Sequence, residues 1–293
     1  MAPFSSLRAT LTQAYPPAPA FTEANVPPGS QNGRVFIVTG GNANKSRSSH
    51  QNDHRGIDIQ EYQWQTEVPP PGSERSLGQS KAAAQSFAQQ EDKLDVLWNN
   101  AGTGANAVTI GQRTTQDSEP MIGMHYIATL LFTKLLLPQL RAAAHASGED
   151  NGTKDRTENY GAPKADTWIL SREFACRYAN DGIISVCLNP GFLKTASFNG
   201  TPVAVMFILD KILLSEAIYG AYTELYAGLS PDVTLEKSGS YIIPWGRIRP
   251  NEATPRQDLI KAGDTKEEGG SRLWQDYGNK FWAWCEGKWS SYV

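Results

Sequence analysis

The chain has 293 residues, of which 40% are hydrophobic and 19% are charged, so it is long enough for one large α/β domain with a substantial core. Its formal net charge of -3 gives no basic footprint of the kind that nucleic-acid or anionic-membrane binding requires. We therefore expect a small-molecule partner, with no nucleic acid and no membrane.

The amino-terminal region carries no targeting signal that we can identify. Its first eight residues lack the apolar core of a signal peptide, and no run approaches the length of a membrane span. Residues 15–31 are rich in Pro, Ala and Gly, which predicts an extended arm over residues 1–33. A single domain over 34–293 and a cytoplasmic location are the corresponding expectations.

Short apolar runs predict the buried strands of a parallel sheet. The runs span residues 35–39, 94–98 and 183–188. Helical patterns over 122–140 and 160–179 separate the later strands. Alternation of strand and helix predicts a doubly wound, Rossmann-like α/β fold.

The carboxyl-terminal third predicts further helices and one last strand. Residues 203–214 are apolar at nearly every position, and this segment either covers an apolar substrate or forms an ordinary core helix. Residues 218–228 and 273–289 predict helices, and 241–243 predicts the last strand. No metal site is expected: His50 and His54 have helical spacing but no further ligands, and the three cysteines form no Cys-x-x-Cys pair.

Tyr160 and Lys164 are the candidate catalytic pair. Four residues apart, they share one face of a helix, so the ammonium group can favour the phenolate. A tyrosine in that setting can donate or accept a proton near neutral pH. The same spacing also occurs on plain solvated helix faces, and the surrounding motifs decide between the two interpretations.

Four motifs in order make this sequence resemble the short-chain dehydrogenase/reductase family, most closely its fungal retinol-dehydrogenase-like members. They are Thr39-Gly-Gly41, Asn99-Asn-Ala-Gly102, Tyr160-x-x-x-Lys164 and Asn189-Pro-Gly-Phe-Leu-Lys-Thr195. The resemblance implies an NADP-dependent oxidoreductase, with NAD as the alternative, that interconverts a carbonyl and an alcohol on a hydrophobic small molecule. It also implies a possible role in fungal secondary metabolism and a possible homo-oligomer.

The resemblance assigns roles to individual residues. Tyr160 would exchange a proton with the substrate oxygen, and Lys164 would lower its pKa and hold the nicotinamide ribose. The remaining cofactor-binding candidates are Gly40, Gly41, Asn100, Ala101, Gly102, Pro190, Gly191 and Thr195. At positions 100–102 a purely structural turn is the alternative.

Three departures from the family pattern concern the site itself. The two further glycines that open the phosphate-binding helix are absent after Gly41, and residues 42–79 lack any apolar period, which predicts an irregular segment. No apolar run precedes Tyr160, so a strand and its active-site serine are expected to be missing. His125 stands where many relatives carry an asparagine, as either a proton relay or a buried core residue.

These departures leave three hypotheses open. The first is an active reductase, and the second is a non-redox relative that keeps the pocket but holds dinucleotide poorly. The third is an inactive, frame-shifted gene product, because residues 55–77, written back into permitted codons and translated one nucleotide later, can give a family-like helix end, turn and strand. Binding of NADPH distinguishes the first hypothesis from the other two.

Overall fold

A six-stranded sheet in sequence order organises the computed structural model of the chain. The structure describes residues 3–39, 77–102, 108, 111–114, 116–146, 154–158, 162–194, 202–254, 257, 260 and 277–293. Within these ranges the strands are β1 (Phe36–Val38), β2 (Val96–Asn99), β3 (Lys154–Glu158), β4 (Ile184–Leu188), β5 (Tyr241–Ile243) and β6 (Arg247–Arg249). The first five strands are parallel, and β6 returns antiparallel to β5.

Within the described residues, nine helical segments connect or flank these strands. They are α1 (Pro3–Ala14), α2 (Leu77–Ala88), α3 (Pro120–Ile122), α4 (Thr129–Leu135), α5 (Leu137–Ala146), α6 (Ala162–Tyr178), α7 (Val203–Ile212), α8 (Ala217–Leu229) and, at the carboxyl-terminal end, α9 (Tyr277–Trp289). The three-residue segment α3 continues into α4 through a π-helical turn, Gly123–Ala128.

Two apolar layers cover the sheet because neighbouring residues of a buried strand point to opposite faces. On one face, Ile37 and Leu97 belong to the largest core cluster, to which α2, α4, α5, α6 and α9 contribute. On the other face, Trp98 packs with Phe36 and its indole nitrogen donates to the carbonyl of Glu224 in α8 at 3.1 Å. The result is a three-layer α/β architecture, as predicted from the alternation of elements.

The helical region after β2 bends sharply at Leu136. Among the described residues, no single helix is long and apolar enough to cross a membrane, while one bent pair, residues 120–135 and 137–144 at 56° to each other, meets that length and composition criterion jointly.

Four predictions about individual elements were wrong. A strand, β3, does precede position 160, because the edges of β2 and β4 supply backbone partners on both sides of an otherwise polar segment. The strand β5 is not the last, since Gly246 at a φ of +79° allows the chain to turn back into β6. Residues 3–14 are helical rather than extended, and α2 begins at Leu77, inside the segment predicted to be irregular.

Other predictions agree with the structure or concern residues outside the described ranges. The predicted helices near 160–179, 203–214, 218–228 and 273–289 correspond to α6, α7, α8 and α9. The rest of the segment predicted to be irregular lies outside the described residues. The division into an arm and one domain stays a prediction.

Candidate functional site

Thr39 joins the carboxyl ends of β1 and β2. Its hydroxyl group accepts a hydrogen bond from the backbone N–H of Ala101 at 2.9 Å, and its carbonyl accepts one from the side-chain amide of Asn100 at 3.1 Å. The Thr39 N–H donates to the carbonyl of Trp98 at 2.9 Å. These bonds hold the loop after β2 against the loop after β1, at the sheet edge where α/β folds bind ligands.

Gly102 lies directly beneath the imidazole ring of His125. A Cβ built on Gly102 would stand 2.7 Å from Cε1 of His125, closer than two carbon atoms can pack. His125 is buried, with 4% of its surface exposed, and lies in the π-helical turn, a feature found frequently at functional sites. The absence of a side chain at Gly102 thus makes room for His125. This contact gives a physical reason for glycine at position 102, and the sequence alone did not reveal it.

The turn that follows β4 is held by its own asparagine. The Asn189 side-chain oxygen accepts a hydrogen bond from the Gly191 N–H at 3.0 Å, and the Asn189 N–H donates to the carbonyl of Ile242 at 2.8 Å. Gly191 has a φ of +96°, a backbone conformation that favours glycine. The indole of Trp245 lies 3.3 Å from a Cβ built on Gly191, so this turn is closely packed.

The predicted catalytic pair is only partly within the described structure. Lys164 lies in the first turn of α6, which begins at Ala162 and packs along β3 and β4. Tyr160, Gly40, Gly41 and Thr195 lie outside the described residues. The structure therefore brings the 100–102 loop and the turn at Pro190 and Gly191 to the same edge of the sheet, because they follow parallel strands, and it places the start of α6 after β3.

A small polar cavity lies behind this edge, between the helix that carries His125 and helix α6. Its volume is about 20 Å³, and its polar lining includes His125, Thr133, Ser171 and Ser185. The hydroxyl groups of Ser171 and Ser185 lie 2.9 Å apart. A polar cavity of this size can hold one water molecule, so the cavity extends the polar surroundings of His125 into the core.

The apolar segment after the Asn189 turn forms an exposed helix. In α7 the side chains of Val205, Phe207, Ile208 and Ile212 are 45% to 66% exposed. Lys194 binds Asp210 of α7 at 2.8 Å and Glu216 at 2.6 Å. The hydrogen bond from Lys194 lowers the pKa of Asp210, and the hydrogen bonds to Asp210 and Glu216 raise the pKa of Lys194, so both groups stay charged at neutral pH.

Sequence reasoning missed two residues near this edge, Trp245 and Gln13. Trp245 belongs to the β5–β6 connection and stacks on Tyr219 with ring centroids 4.5 Å apart, while Gln13 comes from the amino-terminal helix and bonds to Asn189. Neither belongs to a motif. Their separation in the sequence from the residues that they contact left no local pattern to find.

Comparison with known proteins places this architecture in a family. A family model described as short chain dehydrogenase matches residues 71–202. The chain is 36% identical to the short-chain dehydrogenase/reductase iacJ of Pestalotiopsis fici over 339 residues, covering 99% of this chain and 100% of that protein. It is 32% identical to the short-chain dehydrogenase/reductase bet4 of Neocamarosporium betae, covering 94% of this chain and 91% of that protein.

A solved structure gives a weaker likeness. The crystal structure of NADPH-bound carbonyl reductase from chicken fatty liver is 22% identical, with a TM-score of 0.45, and the match covers 59% of this chain and 73% of that one. The two fungal relatives carry the assignment, since both are more than 30% identical over nearly their full length. The chain therefore belongs to the short-chain dehydrogenase/reductase family of oxidoreductases.

Proposed function

We propose that this chain is an NADP-dependent reductase that interconverts a carbonyl and an alcohol on a hydrophobic small molecule. The observation that carries the proposal is the pair of hydrogen bonds that Thr39 accepts from the Asn100 side chain and the Ala101 N–H. It aligns the loops after β1 and β2 at the carboxyl edge of the parallel sheet, the place where folds of this kind bind nucleotides. Family membership supplies the reaction class, and the choice of NADP over NAD follows the sequence resemblance.

In this proposal, the described part of this edge lines the nicotinamide dinucleotide. Two hydrogen bonds to Thr39 fix the 100–102 loop, while His125 fills the space beside Gly102, and Pro244 and Trp245 fill the space beside Gly191. Asn100, Ala101, Gly102, Pro190 and Gly191 would line the cofactor, with Gly40, Gly41 and Thr195 from outside the described residues. When bound, the nicotinamide supplies or accepts the hydride.

The proton chemistry in this proposal belongs to Tyr160 and Lys164. Tyr160 would exchange a proton with the substrate oxygen. Lys164 is placed in the first turn of α6, close in sequence to Tyr160, and its charge would favour the phenolate. A positioned acid or base of this kind contributes roughly 10²- to 10⁴-fold in rate.

The apolar helix α7 supports the proposal of a hydrophobic substrate. Phe192 and four apolar side chains of α7 are exposed after the Asn189 turn, on the chain segment that leaves the carboxyl end of β4. Small-molecule sites are lined mostly by apolar side chains with a few polar groups, and we propose that α7 supplies part of such a lining. Metabolites of fungal secondary metabolism are the substrate source that we propose, and a second copy of the chain is the proposed protein partner.

Two measurements test the proposal. Titration with NADPH should show saturable binding, and Tyr160→Phe should lower turnover by roughly 10²-fold or more while binding stays near the parental value. The matched control is Tyr15→Phe, because Tyr15 is 56% exposed and lies in the amino-terminal arm. A Tyr160→Phe variant that turns over at the parental rate would refute the catalytic assignment.

A relative with impaired cofactor binding is the second candidate. The 339 residues aligned with the Pestalotiopsis protein exceed the 293 residues of this chain, so this chain lacks several tens of positions that the relative has. Residues 42–46 also lack the glycines that open a phosphate-binding helix. On this candidate, NADPH titration gives no saturable binding although the chain folds.

A further inference from the structure

The amino-terminal helix reaches the proposed active site through one side chain. Near the end of α1, the side-chain oxygen of Gln13 accepts a hydrogen bond from the side-chain amide of Asn189 at 3.0 Å. The Gln13 amide nitrogen donates to the carbonyl of Ala9, one helical turn earlier, at 3.2 Å. A residue of the arm thus contacts the first residue of the turn after β4.

The direction of these hydrogen bonds is fixed at both ends by backbone groups. The Gly191 N–H can only donate, so the Asn189 oxygen must face it and the Asn189 nitrogen must face Gln13. The carbonyl of Ala9 can only accept, so the Gln13 nitrogen must face Ala9 and its oxygen must face Asn189. Each amide therefore has one orientation that satisfies all of its partners.

A second contact holds the helix at this position. The guanidinium group of Arg247 donates to the carbonyl of Thr12 at 2.7 Å and also to the carbonyl of Pro244. Arg247 opens β6, and Pro244 packs against Gly191. The end of α1, the Asn189 turn and the β5–β6 connection are therefore joined as one cluster at the carboxyl edge.

We propose that Gln13 is a positioning residue for the proposed active site. It fixes the side-chain amide of Asn189 and, through it, the turn formed by Asn189, Pro190 and Gly191. The inference rests on the proposed function, because that turn matters to catalysis only if it lines the cofactor. The amino-terminal arm then contributes to the site by holding this turn in place.

The test uses the full-length chain with two substitutions at position 13. Gln13→Met keeps the length of the side chain and removes both hydrogen bonds, whereas Gln13→Glu keeps an oxygen that accepts from Asn189. The matched control is Gln31→Met, because Gln31 also makes two side-chain hydrogen bonds, but to its chain neighbours Ser30 and Arg34 and not to the Asn189 turn. Amide hydrogen exchange at Gly191 is the first readout, and the dissociation constant for NADPH is the second.

We expect exchange at Gly191 to be about threefold to tenfold faster in Gln13→Met, the range for one hydrogen bond. Exchange should stay near the parental rate in Gln13→Glu and Gln31→Met. The NADPH dissociation constant should rise by a similar factor in Gln13→Met alone.

Two results would overturn the inference. Equal exchange at Gly191 in Gln13→Met and Gln31→Met would show that Gln13 does not hold the turn. Faster exchange with an unchanged NADPH dissociation constant would show that the turn is held but that the cofactor does not depend on it. Absence of NADPH binding in the parent refutes the proposed function, and the exchange rates at Gly191 still decide whether Gln13 positions the turn.

Discussion

Gly102 and His125 form a contact that a single carbon atom would break. The ring of His125 occupies the space that a side chain at position 102 would need, at 2.7 Å, and His125 is too deeply buried to move away freely. The glycine therefore couples the loop after β2 to the π-helical turn. Changing the loop should displace the histidine as well.

We expect Gly102→Ala to lower the free energy of unfolding by about 1–3 kcal/mol, the usual cost of overpacking a filled site. Urea unfolding measures this change. The double variant Gly102→Ala with His125→Ala should be no less stable than His125→Ala alone, because the ring that clashes is gone. As a control, Gly287→Ala should stabilise the chain by about 0.5–1 kcal/mol, since Gly287 lies in α9 with nothing within 4 Å. Equal effects at positions 102 and 287 would contradict this account.

Glu173 gives a prediction about pH. Its side chain is 4% exposed and binds Arg177 at 3.2 Å, and burial raises the pKa of Glu173 despite that partner. A group whose pKa is raised on folding stabilises the protein at low pH, and this contribution is lost as the pH rises through the folded-state pKa.

We therefore expect the stability of Glu173→Gln relative to the parent to improve as the pH rises above about 4, the ordinary pKa of a glutamate, because the variant has no carboxyl group to ionise. Unfolding in urea at several pH values provides the comparison. A difference between the two proteins that stays constant across this range would show that burial of Glu173 does not govern its ionisation.

At the scale of elements, β3 is the strand that sequence patterns did not predict. Its sequence, Lys-Asp-Arg-Thr-Glu, has none of the apolar residues that mark a strand buried on both faces. It nevertheless lies between β2 and β4, in register with both. Backbone hydrogen bonding to both neighbours accounts for its place, since β2 and β4 would otherwise have unpaired backbone groups.

Proline at Arg156 tests whether β3 is a central strand. Arg156→Pro removes a backbone donor in the middle of the ladder and should lower the free energy of unfolding by about 1–3 kcal/mol. Arg156→Ala keeps the donor and should change stability far less. If both variants unfold at the same urea concentration, Lys154–Glu158 does not pair with β2 and β4.

Sequence patterns predicted well those strands that are buried on both faces, because such strands need a continuous run of apolar residues. Ile37, Leu97 and Val186 are each 1% exposed or less, and their strands were found from those runs. The strand β6 escaped prediction because Arg247-Ile-Arg249 has no apolar run. The helix α1 was missed although Phe4, Leu7 and Leu11 have helical spacing. In the site, the turns at Gly102 and Gly191 were predicted, whereas the contact of Gln13 with Asn189 joins residues 176 positions apart.

At the scale of the whole molecule, β1 forms one edge of the six-stranded sheet. Within the described residues, β1 pairs with β2 alone. The intervening residues 40–76 lie outside the described structure, and the alignment with the Pestalotiopsis protein is longer than this chain. The glycines that open a phosphate-binding helix are absent after Gly41, so the chain-scale prediction concerns the gene.

Sequencing the transcript should reveal a variant with additional residues after Ala43 that restore the glycine turn and its helix. Its frame should rejoin the present one before Lys81, and it should carry an apolar strand and a serine ahead of Tyr160. Expressed beside the present chain, the restored protein should bind NADPH far more tightly, because only a helix amino terminus with free backbone donors holds the pyrophosphate. It should also unfold at a higher urea concentration, since an apolar strand would replace the polar Lys154–Glu158 segment in the sheet. Transcripts that support only the present frame, together with tight NADPH binding by the present chain, would refute the frame-shift hypothesis and leave the reductase proposal intact.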